Sequence, residues 1–146
     1  MIRLFILDKD RSLGDIMTAI LSGEPDIVVV GSAVSVADAL PHLGDCDLIL
    51  VTADLPCDGV LHLARAASEH SGGPQVVLMD WARTQEAFLQ YAAAGVAAYA
   101  LEDDSLDELL SKMRLLQEAK RREKASAGFS EMSLLVDQAH VKSPAR

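Results

Sequence analysis

The sequence predicts an α/β fold: a doubly wound parallel sheet of five strands, joined by five helices and covered on both faces. Three observations predict it. Short β-branched or aliphatic runs alternate along the chain with segments of helical periodicity. Each connection is too long for a hairpin, so successive strands must cross over and lie parallel. The strands are almost wholly apolar, as strands buried on both faces must be, and charged or polar residues follow their carboxyl ends.

The elements follow in order. Residues 2–7 form a buried strand that ends in Asp8-Lys9-Asp10. A helix follows, in which Ser12 and Asp15 have capping-box spacing and Leu13, Ile16, Ile20 and Leu21 recur at helical intervals. Glu24-Pro25-Asp26 ends it, and residues 27–31 are the second strand. The second helix, residues 35–43, is weak, because Pro41 removes a backbone donor from its last turn. Residues 47–51 form the third strand, followed by a turn at Leu55-Pro56-Cys57-Asp58-Gly59 and a helix over 59–70. Residues 75–79 are the fourth strand, and a helix over 84–94 stops at Gly95, a residue suited to the left-handed cap. Residues 96–101 form the fifth strand. Ser105 and Glu108 then make a capping box for the last helix, whose stripe is Leu106, Leu109, Leu110, Met113 and Leu116. Its charged continuation, Lys120-Arg121-Arg122-Glu123-Lys124, belongs in solvent. Residues 125–130 read as a linker and 132–136 as a short amphipathic turn, with a flexible end after it.

Composition narrows the function. The 146 residues are 50% hydrophobic but only 4% aromatic, so aliphatic side chains build the core. No apolar run is long enough to span a bilayer, and the amino-terminal run is interrupted by acids, so a cytoplasmic location and no membrane partner are expected. Net charge is −9; six Lys/Arg against four Asp/Glu from Glu118 to Arg146 leave the first 117 residues at −11. Such a body repels nucleic acid and is not expected to read DNA directly. Cys46 and Cys57 form no CxxC pair, and His42, His62, His70 and His140 are scattered without ligand spacing. There is no P-loop, GxGxxG or nucleophile–base pair, so an enzyme is not expected.

In a doubly wound sheet, sites form beyond the carboxyl ends of the strands. The residues there are Asp8, Lys9, Asp10, Thr52, Asp80 and Glu102. Four stretches bear on what stands at these ends: Ile6-Leu7-Asp8; Glu24-Pro25-Asp26-Ile27 with Val29-Val30-Gly31; Asp47-Leu48-Ile49-Leu50 through Leu55-Pro56 and Asp58-Gly59; and Ala94-Gly95 with Tyr99. In order and spacing they resemble the receiver domain of two-component response regulators, most of all receivers that precede LuxR-type DNA-binding domains. The resemblance covers residues 1 to about 120 and leaves 121–146 as a charged helical extension and tail. It implies a flavodoxin-like sheet of order 2-1-3-4-5 and a role in phosphorelay signal transduction and transcription regulation.

The resemblance also implies what each strand end should carry. Two adjacent acids after the first strand hold Mg²⁺, and an Asp ending the third becomes the acyl phosphate. A Thr or Ser ends the fourth strand and a Lys the fifth. Here Asp8 is followed by Lys9, the phosphoacceptor position is Thr52, the Thr/Ser position is Asp80 and the Lys position is Glu102. A hydroxyl without a base replaces a carboxylate, a cation stands beside the metal position, and two acids stand where phosphoryl oxygens need a donor and a cation. Aspartyl phosphorylation is therefore expected to be lost, leaving an atypical pseudo-receiver that works by protein contact. Lys9 is expected to pair with Glu102 or Asp80 in place of a metal bridge.

Two alternatives remain: phosphorylation at a non-standard residue, Asp54 or Thr52, or a small-ligand sensor built from the altered pocket. No cofactor is expected; Asp8, Asp10 and Asp54 are weak candidates for Mg²⁺, as is Asp80. Tyr99 matches the family's switch aromatic, and Trp81 either caps the old pocket or anchors a partner. With Phe88 and Tyr91 they mark the fourth helix, fifth strand and last helix as the expected face for a protein partner or a homodimer.

Overall fold

The computed structural model describes residues 1–52, 55–79, 85–100 and 104–136, except for the side chains of 85, 87, 88 and 124–136. Five strands alternate with helices: β1 (Ile2–Leu7), α1 (Arg11–Leu21), β2 (Ile27–Ala33), α2 (Val36–Ala39), β3 (Leu48–Val51), α3 (Cys57–Glu69), β4 (Gln75–Met79), α4 (Gln85–Ala94), β5 (Val96–Ala100) and α5 (Leu106–Val136). The sheet order is β2-β1-β3-β4-β5 and every pairing is parallel. This is the doubly wound architecture the sequence predicts.

The two-residue period of the strands divides the core into two layers. Phe5, Leu7, Ile49, Val51 and Leu78 face one side and pack with Val60 and Leu63 of α3 and Tyr91 of α4. Leu4, Ile6, Leu48, Leu50 and Val77 face the other and pack with Leu21 of α1 and Leu109, Leu110 and Met113 of α5. Pro41 acts as expected: α2 is a single turn that passes into a 3₁₀ turn at Leu40–His42. Gly95 closes α4 at φ +109°, and the Ser105–Glu108 capping box forms in both directions, at 2.8 and 3.1 Å.

Three local expectations are corrected. The N-cap of α1 is Asp10, whose carboxylate accepts from the Ser12 and Leu13 amides; the Ser12–Asp15 box does not form, because both residues lie inside the helix. Of the α1 apolar positions only Leu21 is buried, while Leu13, Ile16 and Ile20 are exposed. Residues 125–130 are not a linker: α5 runs unbroken to Val136, over 31 residues, because Ala125 and Ala127 favour helix and propagation fixes only one residue per bond.

Ion pairs tie the sheet's amino-terminal end together. Arg3 of β1 grips Asp47, which leads into β3, at 3.0 Å, and its backbone N–H donates to the same carboxylate. Arg114 of α5 bridges Glu24 and Asp26 at 2.9 and 2.8 Å, fixing the helix against the α1–β2 turn. Lys120 of α5 donates to the Gly73 carbonyl.

Candidate functional site

The carboxyl ends of β1 and β3 bring Asp8 and Thr52 together. Leu7 pairs with Val51 in register, and the Thr52 amide donates to the Leu7 carbonyl at 3.0 Å. Asp8 is the one polar side chain classed with the buried core among the described residues, at 3% exposure. Its Oδ1 accepts the Asp10 amide at 2.8 Å, and Asp10 in turn caps α1. The first acid is thus committed to holding the β1–α1 turn, which costs less than leaving a buried carboxylate unpaired. Gly14 packs against it: a Cβ at Gly14 would stand 3.6 Å from the Asp8 Cβ.

Thr52 Oγ1 is buried and has no hydrogen-bond partner among the described residues. Lys9, between Asp8 and Asp10, is exposed, and no ion pair joins it to another described residue. Asp54, Asp80, Trp81 and Glu102 lie outside the described residues, as does any pairing of Lys9 with Asp80 or Glu102. Among the described residues, no group of three or more His, Cys, Asp or Glu is placed to hold a metal.

At the β5 end the structure supplies a cation that the sequence reading did not single out. Lys112 reaches back from α5, donating to the Tyr99 carbonyl at 2.8 Å and contacting Asp104 at 2.5 Å. Its only sequence signal is a charge wedged beside Met113 on the packing stripe. Tyr99 is half-buried and its ring stands 6.2 Å from that of Tyr91, tilted at 58°. Tyr91 is a core residue, and among the described side chains of α4 the exposed large hydrophobic is Leu89. The side chain of Phe88 lies outside the description.

Beside Asp8 opens a cleft of about 380 Å³ lined by Arg11, Gly14, Ser32, Val34, Asp38 and His42. The His42 ring stacks on Phe5 with centroids 5.1 Å apart, and Nδ1 lies 3.4 Å from Asp45. The short α2 leaves this cleft uncovered. Arg11, Asp38 and His42 belong to it, but Arg11 is distant in sequence from the other two and the three matched no motif.

The signal receiver domain of NarL from Mycobacterium tuberculosis superposes with a TM-score of 0.70 at 22% identity, over 82% of this chain and 96% of that one. The chain has the receiver-domain fold. Two further solved structures agree. The response regulator domain of Thermotoga maritima CheB gives a TM-score of 0.65 at 18% identity, covering 81% and 97% of the two chains. A LuxR-family DNA-binding response regulator from Staphylococcus aureus gives 0.67 at 15%, covering 80% and 98%. No protein-family model matches the chain. A curated relative, the uncharacterized transcriptional regulatory protein YvfU of Bacillus subtilis, is 26% identical over 123 residues. That alignment takes in 83% of this chain but 62% of YvfU, so the chain spans less than two thirds of the relative's length. Among the described residues no helix is long and apolar enough to cross a membrane.

Proposed function

We propose that this receiver passes its signal by protein contact, without aspartyl phosphorylation, as a pseudo-receiver in transcriptional control. One observation carries the reading: the β3 strand end holds Thr52, with a buried, unpartnered hydroxyl, beside an Asp8 already bound to the Asp10 amide. A phosphoacceptor must present a carboxylate to an incoming phosphoryl group and to a metal. Thr52 lacks the carboxylate, and Lys9 adds a cation next to the acid that would ligate Mg²⁺. The names of YvfU and of the Staphylococcus aureus regulator support a transcriptional setting. In this reading the receiver acts in the cytoplasm, has no catalytic activity or cofactor, and leaves DNA to a partner. The partner is a protein that meets the α4–β5–α5 face, where Leu89 is exposed and Tyr99 half-buried.

The test is an amide NMR titration with Mg²⁺ and then beryllofluoride, a mimic of the aspartyl phosphoryl group. A silent spectrum is expected. Shifts at Asp8, Thr52 and Asp54 that spread to Tyr99 would overturn the proposal and mark a live switch, and a mass increase with acetyl phosphate would assign it to a non-standard residue.

The cleft of about 380 Å³ beside Asp8 favours a second reading, a sensor for a small polar ligand. A thermal shift with a metabolite panel separates the two: stabilisation by one compound supports the sensor, and none supports contact alone.

A further inference from the structure

The cleft beside Asp8 wraps the carboxyl end of β2. That strand lies at the edge of the sheet, so no further strand of the sheet covers its outer side. Arg11 and Gly14 reach the cleft from α1, on one face of the sheet. Asp38 and His42 reach it from α2 and the 3₁₀ turn, on the other face. Its volume of about 380 Å³ falls within the roughly 300–1,000 Å³ of small-molecule sites. The cleft shares Asp8, but not Thr52, with the strand-end pair.

Three charged side chains of two signs line this space, and none is bonded to another. Asp8 is 3% exposed, yet a single bond serves it, from the Asp10 amide to Oδ1; Oδ2 has no partner among the described residues. A carboxylate buried this deeply with half its acceptors idle is costly, and a donor brought into the cleft offsets that cost. Arg11 and Asp38 are exposed, and neither head group makes an ion pair or hydrogen bond with another described residue. Beside them the His42 ring is held in place. It stacks on Phe5 at an interplanar angle of 24°, and its Nδ1 lies 3.4 Å from Asp45. With Val34 it gives the cleft a flat ring face and an aliphatic group.

We infer that this cleft binds a free α-amino acid, its carboxylate held by Arg11 and its ammonium by Asp8 and Asp38. The inference rests on the sensor reading above and names the class of its ligand. Charge selects that class. A simple anion would meet two carboxylates as well as Arg11, and a simple cation would meet Arg11 as well as the carboxylates. A zwitterion satisfies both signs at once. The guanidinium takes a carboxylate in a two-bond fork, and an ammonium has three donors, enough for both acids. The ligand's side chain then lies against Val34 and the His42 ring. Such a ligand bridges α1 and α2 across the end of β2, so its binding is read as added stability.

Thermal melting of the full chain with each free amino acid at about 10 mM, beside a panel of other metabolites, tests this. At least one amino acid should raise the melting temperature. The matching amine without its carboxylate, and the matching acid without its amine, should not. Calorimetric titration with that amino acid then gives its Kd. Arg11→Gln and Asp38→Asn alter exposed side chains, so the unliganded variants should melt like the parent. Each should weaken binding about tenfold or more, the worth of one charge-assisted bond. Amide signals of Val34 and Asp38 should move on binding, and that of Leu89 should stay. Affinity unchanged in either variant overturns the inference, as does equal stabilisation by the amine or the acid alone. If another metabolite stabilises the chain and no amino acid does, the ligand class is wrong and the sensor reading stands. If no compound stabilises it, both fail.

Discussion

Lys112 Nζ lies 2.5 Å from Asp104 and donates a second bond, at 2.8 Å, to the Tyr99 carbonyl. One α5 side chain thereby joins β5 to Asp104, just ahead of α5. The Asp104 carboxylate is only 9% exposed, so water screens this ion pair less than it screens an exposed one. Lys112→Ala should cost about 1–3 kcal/mol in urea unfolding, more than a surface ion pair contributes. It should also shift the amide signals of Tyr99 and Ala100. A cost under about 0.5 kcal/mol would show that this clamp adds no more than a surface ion pair.

Thr52→Val should be tolerated. The hydroxyl it removes is buried without a partner, so the change discards a desolvated polar group and keeps the β-branched shape. Unfolding free energy is expected to stay the same or rise by about 1 kcal/mol. A clear loss would mean that the hydroxyl is bonded in solution.

Gly95→Ala should destabilise markedly. The residue sits at φ +109°, and a Cβ there would lie 2.1 Å from the Ser68 hydroxyl of α3. Both the strained backbone and the clash oppose it, and together they should cost about 2–4 kcal/mol. Thermal melting checks this, and pairing it with Ser68→Ala should recover the part due to contact.

The two thiols should differ sharply in reactivity. Cys57 is exposed, while burial pushes the Cys46 thiol up to about 11 from an ordinary 9.0, with the Asp47 charge adding to the shift. One equivalent of a disulfide reagent should react in the native protein and the second only on unfolding. A raised folded value means the contribution of this thiol to stability is complete below pH 9 and fades as pH climbs toward 11. Cys46→Ala should flatten that alkaline decline.

On the acid side, the hydrogen bond from Arg114 holds the Asp26 carboxyl below its ordinary 3.8. Burial pushes the Asp47 carboxyl up, and the side-chain and backbone bonds from Arg3 outweigh it, leaving a net depression. Groups with depressed values stabilise above their unfolded value and lose that contribution as pH falls below about 3.8. Arg114→Gln should raise the Asp26 midpoint toward 3.8 in a carboxyl NMR titration and leave Asp47 unmoved.

Much of this was legible along the chain. Strands such as Leu48–Val51 are buried on both faces, so their apolar run follows directly from the parallel sheet, and Pro41 shortens α2 through a missing donor. The identities at the strand ends, Asp8, Lys9 and Thr52, were readable because a parallel α/β sheet places its sites there. What failed was local competition. Asp10 and Ser12 are both good caps, and only the bond that the Asp10 amide donates to the Asp8 carboxylate decides between them.

By itself the sequence determined the fold class and, through its resemblance, the strand order, because these depend on residue type and spacing along one chain. Which cation meets β5, which face of α1 is left bare and how far α5 outruns its body were decided only in three dimensions. Lys112 and Tyr99 stand 13 residues apart and meet through helix packing, and Ile16 keeps helical spacing whether the face beside it is filled or empty. Periodicity states that a helix has an apolar side; only the packed structure states what covers it.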